Sequence, residues 1–400
     1  MTKTLILDNG ASTIKVGLAT HRAPKIVPNV ILRGRTDRRQ YIADQVDECT
    51  DFSSLLYRLA FEKGYLTNWG LERTIWDRVF KHVAKIDAKD TQLVMTEPMF
   101  NLEAIQEAYD QIIFEEYGFQ SCYRTTGPQL CVYNDWNSLF GDPKDSVPDC
   151  AVIVDSGYSF THIIPFFKRK PIKKAIRRIN VGGKLLTNRL KETVSFRYYD
   201  MMEESYIIND VKEACCYVSQ NVMKDLKICR QDTNNSIVQE FVLPDFSTTT
   251  RGHVRQPNSS KSNDDEQILV MNNERFMIPE SLMHPSDIGM NQAGIPETIV
   301  EAIEACEPEL HGLLYANIVL VGGNAKFDGY QQRIETDLRQ MIPSDYDLRI
   351  TTPLEPTLSA WMGGQRLISN SSKSEQQHFF VSKQDYMEYG SDICRKKFSV

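Results

Sequence analysis

An apolar, strand-like run ending in Asp, a short polar residue and Gly occurs twice, far apart in the chain. Thr4-Leu5-Ile6-Leu7 leads into Asp8-Asn9-Gly10, and Ala151-Val152-Ile153-Val154 leads into Asp155-Ser156-Gly157. A second run returns after each turn, through Lys15 in the first and through Phe160, His162 and Ile164 in the second, so each reads as strand, tight polar turn, strand. Such a turn can aim several backbone N–H groups at one anion, while a carboxylate at the end of the first strand holds a hydrated divalent metal beside it. Asp-Ser-Gly also ends many ordinary hairpins, so one copy constrains little. Two copies suggest two related halves whose turns face one cleft, an arrangement suited to a nucleotide polyphosphate with its metal. In that reading Lys15 reaches phosphate as a point charge; otherwise it is a solvated strand lysine. Ile318-Val319-Leu320-Val321 running into Gly322-Gly323-Asn324 adds a third turn, at which a glycine pair lets backbone approach a ligand closely.

Length and composition fit this picture. A chain of 400 residues exceeds the size at which one core keeps growing, so at least two domains are expected. Hydrophobic residues at 41% and charged residues at 25% are ordinary for a globular protein, and no apolar run approaches the roughly 18 residues of a membrane span. The N-terminus enters a strand without a basic leader and apolar region, which reads as a chain that is not secreted. Nine cysteines without a C-x-x-C pair suit buried thiols in a reducing compartment, and the seven histidines show no ligand spacing. A net charge of −7 argues against free DNA as the main partner and leaves room for a local basic patch.

Taken in order, the first domain covers residues 1–149 with a small lobe at about 30–63, which carries the basic segment Arg33 to Arg39. Ile75, Trp76, Val79 and Phe80 sit at helical spacing within 71–83; 93–98 reads as a strand, and 102–114 and 128–139 as helices. The second domain covers 150–355, with an outer lobe at about 181–284. Within that lobe, residues 246–266 are almost devoid of apolar side chains and read as a mobile surface insertion. Lys168, Arg169, Lys170, Lys173 and Lys174, with Arg177 and Arg178 behind them, form the densest positive charge. This segment reads as an import signal or a contact for nucleosomal phosphates, or else as a solvated hairpin turn.

These residues together resemble the actin family over nearly the whole chain. The resemblance rests on Leu7-Asp8-Asn9-Gly10 with Lys15, Leu66-Thr67-Asn68-Trp69, Asp155-Ser156-Gly157 with Thr161-His162, Tyr315 to Gly323, and the closing stretches Ser359 to Gly364, Ser382 to Tyr386 and Arg395 to Phe398. It implies an α/β, actin-like ATPase fold in which two related domains flank a nucleotide cleft and residues 356–400 return to the first domain. It also implies ATP with Mg as the ligand. Asp8 and Asp155 would hold the metal's waters; Lys15 and the turns Asp8-Asn9-Gly10 and Asp155-Ser156-Gly157 the phosphates; Lys212 and Glu213 the adenosine; Gly322 and Gly323 the back wall.

The departures from actin shape the functional expectation. Tyr158 and Ser159 stand where actin continues with Asp and Gly, and Ala11 and Ser12 where it has Ser and Gly. Tyr158 removes a ribose carboxylate, and Ser159 at positive φ would cost roughly 1–2 kcal/mol. Each lost charged hydrogen bond weakens binding by roughly 1.5–3 kcal/mol. Aligning 128–139 with the helix that carries actin's water-orienting Gln puts Cys131 in its place, while a two-residue shift puts Gln129 there. The segment Leu32 to Gln40 is shorter than actin's subunit-inserting loop, and Asp287 would be unfavourable to bury in a filament contact. Further stretches, including Val181 to Asn188, Val242 to Thr248 and Glu274-Arg275-Phe276, resemble a divergent nuclear branch of the family. That resemblance implies a non-filamentous, non-hydrolysing subunit of a chromatin-remodelling complex that exchanges a histone variant into nucleosomes, with a role in heterochromatin. It further implies a nuclear location with a cytoplasmic pool, other subunits and the nucleosome as partners, and ATP with Mg as a structural ligand. The alternative is an ATP-hydrolysing, polymerising cytoskeletal protein.

Overall fold

The computed structural model describes residues 3–34, 39–52, 55–141, 150–231, 235–246, 249–255 and 266–398. β1 (Lys3–Asn9) buries Leu5, Ile6 and Leu7 on both faces, as expected for an inner strand covered above and below. It pairs antiparallel with β2 (Thr13–Leu18), which pairs with β3 (Lys25–Pro28). In the small lobe, β4 (Ile31–Gly34) lies between β5 (Gln40–Ile42) and β6 (Leu55–Arg58). A short hairpin of β7 (Phe61–Glu62) and β8 (Tyr65–Leu66) follows. The Asn68 side chain caps α1 (Trp69–Arg78) by accepting the Leu71 N–H, satisfying one of the free donors of a helix start. A wider π turn extends the helix through Ala84, and Ile75, Trp76, Val79 and Phe80 form its buried stripe.

β9 (Thr91–Glu97) runs parallel to β1, and α2 (Glu103–Gln111) leads to β10 (Ser121–Thr126), parallel to β9. Arg124 on β10 is buried and donates to Glu97 at 2.8 Å and Asp110 at 3.0 Å. The helix expected over 128–139 is two short ones, α3 (Gly127–Cys131) and α4 (Trp136–Phe140). Side chains break it locally: Asn134 donates to the Ser359 carbonyl at 2.8 Å, and Asp135 accepts the Ser138 N–H, competing with the helical backbone pattern.

In the second half β11 (Cys150–Ser156) pairs with β12 (Thr161–Phe167), which turns tightly into β13 (Lys170–Pro171) and also pairs with β14 (Arg177–Ile179). α5 (Gly183–Arg197) and α6 (Ser205–Cys215) pack on one another. The outer lobe's sheet places β15 (Gln239–Val242) between β16 (His253–Val254) and β17 (Ile268–Met271). Part of the expected mobile insertion is therefore sheet. Val254 pairs with Phe241, and Arg255 bridges Glu240 and Glu266 at 2.5 and 2.7 Å, contacts that a low apolar content does not reveal. Its residues 247–248 and 256–265 lie outside the described residues, as do 35–38 of the basic segment. β18 (Ile318–Val321) lies parallel to β11, and β19 (Ile350–Thr351) parallel to β18.

The last residues return to the first half. β20 (Val381–Ser382) pairs antiparallel with β10, giving the sheet order β20-β10-β9-β1-β2-β3. The helix Ser359–Asn370 packs Trp361 among Ile6, Val94 and Leu130. Among the described residues, no helix is long and apolar enough to cross a membrane.

Candidate functional site

The strand ends from both halves meet at a cavity of about 680 Å³, within the usual range for a ligand site. Asp8, Gly10 and Lys15 line it from the first half; Asp155, Gly157, Lys212, Glu213, Gly322 and Gly323 line it from the second. The parallel register Asp155↔Val321 sets Gly322 beside the Ser156 carbonyl. Gly322 has φ +93°, and a Cβ there would lie 2.3 Å from that oxygen, so only glycine fits.

Asp8 accepts the Thr96 hydroxyl at 2.8 Å and lies 3.4 Å from Lys15 Nζ. Burial, then the Asp8 charge, raises the Asp155 carboxyl to about 6, with Lys15 opposing the shift. Asp155 is half-buried beside a second carboxylate with Lys15 as the positive charge between them, a balance that a hydrated divalent cation would complete. The residues lining the cavity have the chemistry to hold a metal–polyphosphate: Asp8 and Asp155 would face the ion's waters, and Lys15, Gly10 and Gly157 the phosphates.

Three expected site residues are placed differently. The Asn9 side chain points into the core, donating to Glu72 at 2.7 Å and accepting from Trp76 at 3.1 Å, while its N–H donates to Thr96. Ser156 is buried against Thr161 and Asn324, at 2.8 and 3.1 Å. Lys212 borders the cavity but directs Nζ to Asn209 (2.9 Å), Thr187 (3.0 Å) and the Gly183 carbonyl (3.4 Å). Three donors thus meet three protein acceptors, and burial lowers the Lys212 pKa. Lys212 braces the wall between α5 and α6, leaving Glu213, itself held by Asn209 at 2.8 Å, facing the cavity. Ser159 is not among the residues with positive φ, so the backbone penalty expected there does not arise. Asn209, and Asn324 of the third turn, join the site without a role expected from the sequence. Asn324 holds the second turn by donating to Ser156 and the Gly157 carbonyl, and its place directly after the glycine pair was the available signal. No spacing pattern marks Asn209.

Residues 1–399 match the family model described as Actin. The chain belongs to the actin family. It is 41% identical to the Actin-like protein ARP6 of Cryptococcus neoformans var. neoformans serotype D, over 98% of this chain and 84% of that protein. It is 39% identical to the Actin-related protein 6 of Drosophila melanogaster, over 96% of this chain and 97% of that one. With the Actin-related protein 6 of Arabidopsis thaliana it shares 34% identity over 100% of both. The chain is thus an actin-related protein with the α/β actin fold.

Of the two residues that 128–139 offers for a water-orienting position, the structure brings one to the cavity. Cys131 lines the cavity, and burial, then the Asp155 and Asp8 charges, pushes its thiol well up. Gln129 faces away, donating to the Arg169 carbonyl at 2.9 Å. His162 is buried among Phe100 and Phe160, its Nε2 without a partner among the described residues. Burial, then Arg178, lowers its pKa to about 3, so it is neutral at physiological pH. It does not line the cavity, whereas Tyr158 does.

Proposed function

We propose that this chain is a non-filamentous nuclear actin-related protein that serves as a structural and interaction subunit of a chromatin-remodelling complex, one that exchanges a histone variant into nucleosomes, with a role in heterochromatin. Its cleft takes Mg-ATP as a structural ligand, which stabilises the closed protein by linkage. The observation that carries this reading is the Cys131 thiol on the cavity wall. A high-pKa thiol has neither the paired donor and acceptor nor the basicity needed to orient and activate a water. The metal-facing carboxylates and phosphate turns remain, so the site reads as one for holding rather than hydrolysing. When bound, the metal would neutralise the phosphates while Lys15 and the turns position them.

The exposed hairpin of Lys168, Arg169, Lys170, Lys173 and Lys174 is the proposed nucleosome contact. Lys174 is held by Glu307 at 2.7 Å, Lys168 lies over Phe167 and Arg169 over Tyr133. Lys170 and Lys173 are the more available cations for phosphate or an acidic histone surface.

Native mass measurement of the nuclear pool tests the subunit reading, which a free monomer of 45.9 kDa overturns. Nucleotide released on denaturing the purified protein, or a thermal shift with Mg-ATP, tests the ligand; neither appearing removes it. Phosphate release together with sedimentable polymer would favour the alternative, a polymerising ATPase. The Cys131→Gln variant is expected to regain no more than slow phosphate release, because His162 stays sealed behind its rings.

A further inference from the structure

Beyond the cavity, the small lobe of the first half and the outer lobe of the second touch through aromatic rings. Phe52, between β5 and β6 of the small lobe, stacks on Tyr206 at the start of α6, with ring centroids 4.2 Å apart and planes 2° from parallel. Phe246 of the outer lobe lies 6.4 Å from Phe52, and Tyr57 of β6 lies 6.5 Å from Tyr206. Phe52 is only 7% exposed and belongs to the small lobe's own cluster with Val30, Leu32 and Val46, against which Tyr206 and Phe246 pack from the other half.

The contact is fastened to the ligand cavity on both sides. α6 carries Tyr206 and, one and two turns on, Asn209 and Glu213 of the cavity wall. Tyr57 stays about one-third exposed (36%), and burial first, then its neighbours Tyr206, Tyr158 and Asp210, pushes its hydroxyl pKa up. The halves also meet at a second place. Gly64 of the β7–β8 turn sits on the Phe160 ring, where a Cβ would come within 2.3 Å. Arg178 lies over that ring at 4.7 Å and donates to the Tyr65 hydroxyl at 3.0 Å. That second contact joins the halves without Phe52.

We propose that Phe52, Tyr57, Tyr206 and Phe246 form a clasp that holds the cleft shut whether or not a ligand is inside, so that a nucleoside polyphosphate enters and leaves only when these rings part. The physical basis is that separating stacked rings exposes apolar surface on both lobes to water. The closed state is then favoured without ligand contacts, and a ligand within it dissociates at the rate of a local opening. The gating half of the proposal rests on the reading of the cleft as a nucleotide site; the clasp itself does not.

Cys131, at the cavity wall and 4% exposed, reports the opening. The full chain, stripped of nucleotide and metal, is treated with methyl methanethiosulfonate, and each cysteine is followed by peptide mass spectrometry. In the double variant Phe52→Ala/Tyr206→Ala, Cys131 is expected to react at least tenfold faster, while Cys122 and Cys215, buried in separate cores, keep their rates. An unchanged Cys131 rate overturns the clasp. So does a common rise at all three thiols, because the rings would then hold the fold rather than the cleft. With a fluorescent etheno-ATP and Mg, the same variant is expected to release ligand at least tenfold faster, and binding with unchanged release overturns the gating. Faster Cys131 labelling with no nucleotide bound by either protein supports the clasp and refutes the nucleotide reading.

Discussion

Replacing Asp155 by Asn should stabilise the ligand-free protein at pH 8 and stabilise it much less in acid. The folded carboxyl has a pKa of about 6, against about 4 for an unfolded aspartate. Because the folded pKa is raised, the folded state binds the proton more tightly. The stability this provides is fully present below about pH 4 and is lost as pH rises through about 6. Above pH 7 the parent carries a half-buried charge near Asp8 that Lys15 only partly offsets. Asn keeps the shape and has no charge at any pH. Integrating the linkage gives a gain of about 1 kcal/mol at pH 4.5, growing to about 3 kcal/mol at pH 8. Urea unfolding followed by tryptophan fluorescence in EDTA, at several pH values, measures it. A gain independent of pH, or a parent more stable than the variant at pH 8, would refute the reasoning. The same substitution should abolish any thermal shift produced by Mg-ATP, so one change stabilises the empty protein and disables the site, as expected where stability is given up for binding.

Glu72 is buried, accepts from Asn9 and Asn29, and is raised to about 7 by burial. Its contribution to stability is lost between about pH 4.5 and 7, and Glu72→Gln should flatten that part of the pH–stability curve, read as urea midpoints. Arg124→Met leaves Glu97 and Asp110 buried without their cation and should cost about 3–5 kcal/mol, a fall in melting temperature visible by calorimetry; an unchanged melting temperature would show the triad to be replaceable. Gly322→Ala sets a methyl against the Ser156 carbonyl in a left-handed backbone and should lower the melting temperature and nucleotide affinity together. Loss of affinity alone would mean the strand end yields without strain.

Much of the fold was legible because its signals are local. Asp8-Asn9-Gly10, Asp155-Ser156-Gly157 and Gly322-Gly323 each end a run of apolar strand residues, and these turns do converge on one cavity. Which way a side chain points from such a turn was not legible. Asn9 and Ser156 have the residue types of a phosphate site, yet their partners Glu72, Trp76 and Asn324 come from distant segments. Helical spacing over 128–139 hid the break at Asn134, because the acceptor that draws this side chain away is the Ser359 carbonyl. Gln129 and Cys131 both lie in α3, ahead of the break, and two residues along one helix point to nearly opposite sides, so only Cys131 reaches the cavity. The Phe52–Tyr206 stack joins elements too far apart in sequence for any periodicity to register.

β20 bears on how the chain is made. The edge of β10 that it covers is complete once Thr126 has been synthesised, but its partner lies at Val381–Ser382. At about 5–20 residues per second the ribosome needs roughly 13–50 s to reach it. Throughout that interval the nascent first half exposes an unpaired strand edge, the kind of surface that recruits wrong partners, and it lacks Trp361 beneath its sheet. The half that is translated first is therefore the one finished last, and its sheet is the one that would need shielding while the chain is made.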